Sequence, residues 1–367
     1  MTLNQERDVK LGRLREFLQK HSLDGVYLKR QDNFAWLTCG GINYVGLGDM
    51  GNAGLLVTKD AQYAVTNTIE ASRMKIEEKL EEMGFPIHAS VWHDLQGESN
   101  ILKKLVPGGK LGFDHGNGLG ENLTNDLRLL RFSLTEAEIQ RYKEAGYLTA
   151  LAMEETIAET RPGDTEHQVI GRLVQRIRGV GMDCVSAMCA ADNRISDYRH
   201  PVPTEQKIQK RVQLGGNMRY KGLIVCCTRN RSFGPISAEL REQYRKTTEI
   251  DCVLMANSIP GKTFVYALEA GKKAYEAMGY GVEFDNHHQG GPIGYQARDY
   301  RVDFATPGVI HENQAFCWNP SITGTKSEDT VLATSKGIVP LSNPILLPTI
   351  TLEVAGQTFV RPAIWEA

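Results

Sequence analysis

The stretch YKGLIVCCTRN, residues 220–230, decides the fold, because it is a strand-sized apolar run that ends in polar residues. The apolar part, from Gly222 to Cys227, is far shorter than the ~20 residues that cross a bilayer. It predicts a β-strand that carries Thr228 and Arg229 toward the interior of a water-soluble domain. The rest of the fold follows from the elements on either side.

The elements around this strand predict an α+β domain with a curved antiparallel sheet. Thr135 and Glu138 form a capping box that opens a long helix ending near Thr160. A second helix carries Val169, Ile170, Leu173, Val174 and Ile177 on one face. The sequence also predicts two further helices and several strands: helices 239–257 and 264–278, and strands 223–228, 316–318, 330–334 and 350–354. Helices segregated from hairpin-like strands are typical of the α+β class.

The first part of the chain predicts a smaller α/β domain. Leu11, Leu14 and Leu18 recur at helical spacing and precede the strand-like run GVYL, residues 25–28. A hairpin is predicted over 54–66, another strand over 87–92, and a glycine-rich, turn-forming stretch over 107–122. We therefore predict two domains, 1–132 and 133–367.

Composition excludes several classes of function. The chain has 367 residues, of which 41% are hydrophobic and 23% are charged, with a formal net charge of -2. Without a basic excess, general binding to nucleic acid or to an anionic membrane is not expected. The N-terminal residues show no signal-peptide pattern, and the seven cysteines are odd in number and scattered. These features predict a cytoplasmic protein with free thiols.

Four short stretches concentrate polar groups in apolar or glycine-rich surroundings. They are SDYRHPVPT (196–204), YKGLIVCCTRN (220–230), HHQGGPIGYQARDY (287–300) and NPSITGTKSEDTVLAT (319–334). Each stretch alone is a weak signal, but their order and spacing resemble those of the creatinase/aminopeptidase family. DNFAWLTCGG, residues 32–41, and the helix-strand-hairpin order of the first domain resemble the N-terminal domain of that family. The resemblance implies a C-terminal pita-bread domain.

The metal-binding pattern of the family is largely absent from this sequence. In metallopeptidase members, two Asp, one His and two Glu hold the metals. The resemblance places these positions at Gly215, Cys226, His288, Asn319 and Glu328, with His287 as the alternative register for the histidine. Two close divalent cations need several anionic oxygens to offset their mutual repulsion. We therefore predict no dinuclear metal and no cofactor. A single Zn²⁺ on Cys226, His288 and Glu328 stays open, because all three are zinc ligands.

Without a metal, Glu328 needs another source of positive charge, since an isolated buried carboxylate is costly. It could be protonated, it could pair with Arg229 or Arg298, or it could hold a cationic group of a ligand. The last alternative resembles creatinase, a family member that hydrolyses a C–N bond without metal by means of a His.

By that resemblance three residues are predicted to be catalytic. His200 would be the general base and acid, His288 would hydrogen-bond at the reacting carbon, and Glu328 would polarise a cationic group. Arg298 would clamp a substrate carboxylate. The other substrate-binding candidates are Tyr295, Arg229 and His287, although Arg229 is equally explained as part of an internal ion pair.

Three functions are compatible with the sequence. The first is a metal-independent, creatinase-like hydrolase of a small amidino or peptide-like C–N compound. The second is an Xaa-Pro aminopeptidase-like or dipeptidase-like metallopeptidase, and the third is a non-catalytic ligand-binding member of the family. The expected partners are a small molecule or short peptide and, by resemblance, a second copy of the chain.

Overall fold

The structure is a computed structural model that describes residues 1–116 and 118–367. Asn117, within the predicted turn-rich stretch 107–122, lies outside the described residues. The chain divides into two compact units, Met1–Glu138 and Ile139–Ala367. The domain boundary that the sequence predicts near residue 132 stays a proposal.

Ten α-helices and eighteen β-strands are found among the described residues. The helices are α1 Leu3–Lys20, α2 Gln31–Leu37, α3 Ala71–Ile76, α4 Gly97–Leu105, α5 Thr124–Leu127, α6 Glu136–Glu159, α7 Glu166–Gly179, α8 Arg194–Asp197, α9 Ala238–Ala256 and α10 Phe264–Ala277. The strands of the first unit are β1 Gly25–Arg30, β2 Met50–Thr58, β3 Gln62–Asn67, β4 Ile87–Ser90, β5 Leu111–Phe113 and β6 Glu121–Asn122. Those of the second unit are β7 Asp183–Ala191, β8 Arg211–Tyr220, β9 Leu223–Ser232, β10 Gly290–Ile293, β11 Gln314–Trp318, β12 Ser321–Ile322, β13 Thr325–Lys326, β14 Asp329–Thr334, β15 Gly337–Pro340, β16 Thr349–Val354, β17 Gln357–Pro362 and β18 Trp365–Glu366.

The first unit is a six-stranded mixed sheet with helices, in the strand order β4-β3-β2-β1-β5-β6. Strand β1 pairs antiparallel with β2 and parallel with β5. Thr2 caps α1 through a capping box with Gln5, and the predicted apolar face of α1, with Leu11, Leu14 and Leu18, is buried. The predicted helix, the strand β1 and the β2–β3 hairpin are confirmed.

The second unit packs helices α6 and α7 against the sheet β18-β9-β8-β7. The predicted capping box begins α6, with the Glu138 amide donating to Thr135 Oγ1 at 3.2 Å. On the predicted face of α7, Val169, Leu173 and Ile177 are fully buried and join residues of α6 and of strands β7 to β9 in one hydrophobic cluster, whereas Ile170 and Val174 are partly buried. Burial of this face removes apolar area from water, which is the main stabilising term in folding.

The β8–β9 hairpin determines which side chains face the candidate site. Its two-residue turn has Lys221 at φ 48° and Gly222 at φ 82°, a pair of positive φ angles that matches the right-handed twist of the strands. The register pairs Gly215 with Thr228. Because side chains alternate along a strand, Cys226 and Thr228 share one face, while Arg229 points to the other.

A second antiparallel sheet, β10-β11-β14-β15, brings the last polar stretch against this hairpin. The Thr228 amide donates to the Glu328 carbonyl oxygen at 3.0 Å, which joins β9 to the residue before β14. Among the described residues no helix is long and apolar enough to span a membrane. The predicted strands β9, β11, β14 and β16 are all present.

Candidate functional site

Three histidines from two separate loops form a cluster, called here the histidine cluster: His200, His287 and His288. One ring nitrogen of each lies within 4.8 Å of the others. Nε2 of His200 and Nε2 of His287 are 3.1 Å apart, and the rings of His287 and His288 stack with centroids 4.4 Å apart. The structure therefore brings together the predicted catalytic histidines and the alternative His287.

Arg199 anchors the loop that carries His200. Its guanidinium donates to Ser321 Oγ at 3.1 Å and to Thr323 Oγ1 at 2.8 Å, and it pairs with Glu283. Glu283 lies in the short 3-10 helix Gly281–Asn286, which leads directly into His287. One arginine thus connects the two loops and fixes their separation, while the ring of His200 stays exposed.

Gly290 fixes the direction of the chain after the histidine pair. Its φ is 100°, and a Cβ there would come within 2.4 Å of the Cys317 carbonyl oxygen. Only glycine combines this conformation with so close an approach to backbone. The glycines after His288 are therefore required by the turn into β10.

All three histidines are held neutral at neutral pH. Burial, and next the charge of Lys326, lowers the pKa of His287 to about 2. Burial, and next Arg298, lowers the pKa of His288 to about 4. The pKa of the less buried His200 is also lowered, by burial and by Lys326, although Glu328 opposes this. A neutral imidazole accepts a proton and can act as a general base.

The guanidinium of Arg298 lies between Cys226 and Glu328, which stand at two of the family's metal-ligand positions. Nη2 donates to Glu328 Oε1 at 3.1 Å, and Nη1 donates to Cys226 Sγ at 3.4 Å and to the Ala297 carbonyl at 2.6 Å. Nη2 also lies 3.8 Å from Cys317 Sγ. Both terminal nitrogens of Arg298 are therefore engaged inside the protein, which argues against the predicted clamp on a substrate carboxylate.

Glu328 is a buried carboxylate that the protein itself neutralises. Its Oε2 accepts from Thr228 Oγ1 at 2.7 Å, and Lys326 Nζ lies 3.7 Å away. Burial alone would raise the pKa of Glu328, but Lys326, Arg298 and the Thr228 hydroxyl outweigh it, so the pKa is lowered. The ionised carboxylate pairs with Arg298, one of the alternatives left open by the sequence. That pairing argues against Glu328 as the holder of a cationic ligand group.

Sequence reasoning missed Lys326 and Arg301. Lys326 is 5% exposed and lies two residues before Glu328, and its charge acts on all three histidines. Strand alternation in TKSED places residues 326 and 328 on the same face, which was a usable signal. Arg301 is exposed on the loop after Arg298, and its charge acts on His200 and His288.

Two further predicted substrate-binding residues, Arg229 and Tyr295, are buried. Arg229 is fully buried, and it donates to Glu154 Oε1 at 2.9 Å, to Asp329 Oδ1 at 2.9 Å and to the Ser342 carbonyl at 3.1 Å. All three nitrogens are engaged inside the protein and the side chain is closed to solvent, so the geometry argues against the substrate-binding role and favours the internal ion pair. Tyr295 is 2% exposed, in the segment between β10 and Arg298. Substrate binding by Tyr295 stays a prediction.

Comparison with known families identifies both parts of the chain. Residues 10–142 match the creatinase/prolidase N-terminal domain, and residues 140–335, more than half of the chain, match metallopeptidase family M24. The chain belongs to metallopeptidase family M24. The predicted family and fold class, an N-terminal α/β domain followed by a pita-bread domain, are confirmed.

Relatives of this M24 chain are similar at low sequence identity. An uncharacterized peptidase of Staphylococcus aureus strain MW2 is 24% identical over 226 residues, which cover 59% of this chain and 64% of that relative's length. The uncharacterized peptidase YqhT of Bacillus subtilis is 23% identical over 364 residues, which cover 90% and 96%. The prolidase structure from Pyrococcus horikoshii superposes with a TM-score of 0.76 at 20% identity, covering 92% of this chain and 98% of that one.

The residues present do not fit the two-metal centre that the name of the M24 family implies. A Cβ at Gly215 would come within 2.9 Å of Thr228 Oγ1, the hydroxyl that donates to Glu328. A carboxylate at position 215 would therefore have to displace a residue that the site uses. Among the five positions of the ligand pattern, the only carboxylate is that of Glu328, and the cationic Arg298 already pairs with it at 3.1 Å. The donor set lacks the anionic oxygens that two divalent ions require.

The single zinc site that the sequence left open is not assembled either. Among the described residues, the one group that could hold a metal ion is the histidine cluster, and it includes neither Cys226 nor Glu328. Arg298 lies between those two instead. Imidazoles are zinc ligands by type, but Lys326, Arg298 and Arg301 act on this cluster and oppose a divalent cation there.

Proposed function

We propose that this M24 chain hydrolyses a C–N bond in a small amidino or peptide-like compound without a metal ion. The observation that carries the proposal is the position of Arg298, which donates to both Cys226 and Glu328 and so supplies positive charge inside the residual ligand set. In this proposal the guanidinium of Arg298 supplies the positive charge that metal ions supply in metallopeptidase members of the family. The reaction then depends on proton transfer and hydrogen bonding.

His200 is the proposed general base and acid. Its neutral imidazole takes a proton from water, the water oxygen attacks the carbon, and the C–N bond breaks as His200 returns the proton to the leaving nitrogen. The contact of His200 Nε2 with His287 Nε2 at 3.1 Å orients the ring. His288, which stacks on His287, is the proposed hydrogen-bonding partner of the group under attack.

Asn319 supports a substrate that carries an N–H group. Its Oδ1 is buried and accepts no hydrogen bond within the described part of the chain. An unpaired buried acceptor is costly, so a ligand that donates to it gains affinity. Glu328, in contrast, keeps Arg298 and Thr228 in place in this account and does not meet the substrate through a free oxygen.

The test compares the variant H200A with H167A on a panel of small amidino, ureido and short-peptide compounds. His167 is an exposed surface residue, with its side chain 53% exposed, and serves as the matched control. We expect turnover of the accepted compound to fall about 10²–10⁴-fold in H200A, since a positioned acid–base group contributes that much, and to be unchanged in H167A. Full turnover in H200A, or turnover that requires added Mn²⁺, Co²⁺ or Zn²⁺, would contradict the proposal.

The second candidate function is that of an Xaa-Pro metallopeptidase, because one relative of this chain is named an Xaa-Pro dipeptidase. A chain called Xaa-Pro dipeptidase from Pyrococcus horikoshii is 20% identical over 348 residues, which cover 89% of this chain. Cleavage of Xaa-Pro dipeptides that a chelator abolishes would favour it. A protein that binds a ligand without any turnover, and keeps that affinity in H200A, would instead be the non-catalytic member.

A cytoplasmic homodimer is the proposed state of the protein. The dimer is carried by the resemblance to the family. Light scattering on the full chain is expected to give twice the chain mass. A monomer at micromolar concentration would contradict it.

A further inference from the structure

Two cysteine side chains of the second unit contact the guanidinium of Arg298. Nη1 of Arg298 donates to Cys226 Sγ at 3.4 Å, and Nη2 lies 3.8 Å from Cys317 Sγ. Cys317 Sγ is also 3.9 Å from the carbonyl oxygen of Cys226, and the two thiols hydrogen-bond to each other. Both cysteines are free thiols in the structure. One guanidinium therefore holds two unlinked sulfur atoms beside each other.

Thr330 holds the backbone segments of the two cysteines together. The Cys226 amide donates to Thr330 Oγ1 at 2.9 Å, and that hydroxyl donates to the Cys226 carbonyl oxygen at 2.9 Å. Thr330 is also the residue of β14 that lies directly opposite Cys317 of β11. Opposed residues of antiparallel strands have Cα atoms about 4.5–5.5 Å apart. We therefore expect a bond between the two sulfur atoms to require side-chain rotation and not movement of strands.

The surroundings of the two thiols favour reaction with a small oxidant. The thiolate is the reactive form of cysteine, and a neighbouring arginine stabilises it. Cys226 and Cys317 are both fully buried, whereas the side chain of Arg298, which contacts both, is 14% exposed. This burial keeps bulky oxidants away from the sulfur atoms. A hydroperoxide fits, because the smallest of this class, hydrogen peroxide, is little larger than water.

We propose that Cys226 and Cys317 form a reversible disulfide when a hydroperoxide oxidises them, and that this bond switches the site off. Cys226 attacks hydrogen peroxide, the O–O bond breaks and a sulfenic acid forms, while the released hydroxide takes up the proton of the Cys226 thiol to give water. Cys317 then attacks the sulfenic sulfur, the S–O bond breaks, and the leaving hydroxide takes the Cys317 thiol proton to give a second water. The two thiols lose two electrons, which reduce the peroxide. A small thiol reverses the reaction by exchange.

The effect on turnover rests on the proposed function, because it acts through Arg298. In the disulfide the Cys226 sulfur turns toward Cys317, so Nη1 of Arg298 loses its sulfur partner. The guanidinium then moves toward Glu328, and the positive charge that the proposed reaction uses is displaced. A displacement of about 1 Å can cost about 10²-fold in rate. Turnover should therefore be lost in the linked protein.

The test is oxidation of the folded full chain with hydrogen peroxide, followed by alkylation of the remaining thiols in denaturant, digestion with trypsin and mass spectrometry. Cys226 shares its tryptic peptide, 222–229, with Cys227, whereas Cys317 is the only cysteine of peptide 302–326. The variant C227A removes this ambiguity. It is also the matched control, because Cys227 is equally buried but packs in the hydrophobic cluster with α6 and α7.

We expect the two peptides to be linked in the wild type and in C227A, with the loss of two hydrogen atoms, and to be separated by dithiothreitol. No linked peptide should form in C226A or C317A. Cys184 is partly exposed on β7 and reports whether the peroxide has acted. Oxidation of Cys184 while Cys226 and Cys317 both remain free for alkylation would overturn the inference, as would linkage that forms only when denaturant precedes the peroxide.

Turnover of the accepted compound tests the switch separately. In the wild type it should fall in proportion to the linked fraction and return after reduction, whereas peroxide should not change the turnover of C317A from that of its own untreated sample. Full turnover in the linked protein would contradict the switch. Linkage in a protein that turns over none of the compounds would support the disulfide and contradict only the proposed function.

Discussion

Glu328 and Asp329 are neighbours in the chain but belong to two charged groups of different character. Asp329 accepts from Arg229 at 2.9 Å and from Arg361 at 3.0 Å, in a buried network with Glu154 and Asp251. In this network each arginine meets two carboxylates at hydrogen-bond distance. Such a group holds the helices and strands together, and its charged side chains are buried.

In the group around Glu328, by contrast, the cations outnumber the carboxylates. Arg298 and Thr228 satisfy its carboxylate, while Lys326 stays 3.7 Å away and Arg301 stays exposed. The same residue types therefore build two different groups: one in which each arginine meets two carboxylates, and one in which Arg298 and Lys326 share a single carboxylate. What separates the two groups is the number of carboxylates that each cation meets, and the following variants test that difference.

The largest effect is expected for R229M. It leaves Glu154 and Asp329 buried without their common cation, and breaking a buried pair costs about 3–5 kcal/mol. Denaturant unfolding followed by circular dichroism measures this loss. R245M is the control, because Arg245 is 42% exposed in its pairs with Glu242 and Glu249 and should cost about 1 kcal/mol or less. Equal losses in the two variants would remove the distinction between the network and an ordinary surface pair.

A smaller loss is expected for R298M. Glu328 keeps the Thr228 hydroxyl, and Lys326 can approach it, so the cost should be about 1.5–3 kcal/mol, that of a hydrogen bond to a charged group. The double variant R298M/E328M should recover most of it, because it removes the carboxylate that needed a partner. If R298M cost as much as R229M, the site would be another closed network and the comparison would fail.

The smallest effect is a pH dependence of stability with opposite signs in the two groups. The pKa of His288 falls from 6.5 to about 4 on folding, so the unfolded chain takes up a proton that the folded chain refuses, and stability decreases as the pH falls from 6.5 to about 4. Burial raises the pKa of Asp251 to about 7, although Arg361 opposes this, so its contribution decreases as the pH rises from about 4 to about 7.

Thermal unfolding between pH 7 and pH 4 measures both contributions. Relative to the wild type, H288N should flatten the acid-side loss, and D251N should steepen the net loss on acidification because the opposing contribution is gone. H167N, at an exposed position, is the control and should follow the wild type. Identical curves for H288N and the wild type would mean that His288 is not held neutral.

Much of the fold could be predicted because its signals are local. The capping box at Thr135 and Glu138, the buried face of Val169, Leu173 and Ile177, and the apolar strand after Gly222 depend on neighbours within one or two turns or on strand alternation. Strands β7 and β8 were missed. The sequence of β8, RVQLGGNMRY, interrupts its apolar residues with two glycines and several polar residues, and its pairing with β9 comes from tertiary contacts.

The candidate site could be predicted only in part. His200, His288 and Glu328 were found by resemblance, and the structure brings both histidines together with His287. The engagement of Arg298 with Cys226 and Glu328 depends on distances between segments 72 and 30 residues apart, which no local pattern encodes. Arg229 was ambiguous for the same reason, since a strand arginine can face either side until the partner carboxylates are located.

Metal stoichiometry tests the central claim most directly, namely that Arg298 takes the place of metal ions. The purified chain is incubated with excess Mn²⁺, Co²⁺ or Zn²⁺ and separated from free ions by gel filtration, and its metal content is measured by inductively coupled plasma mass spectrometry. The variant E328Q is treated in the same way for comparison. The account predicts substoichiometric metal that does not change in E328Q. Two ions per chain that are lost in E328Q, together with peptide cleavage that a chelator abolishes, would contradict it.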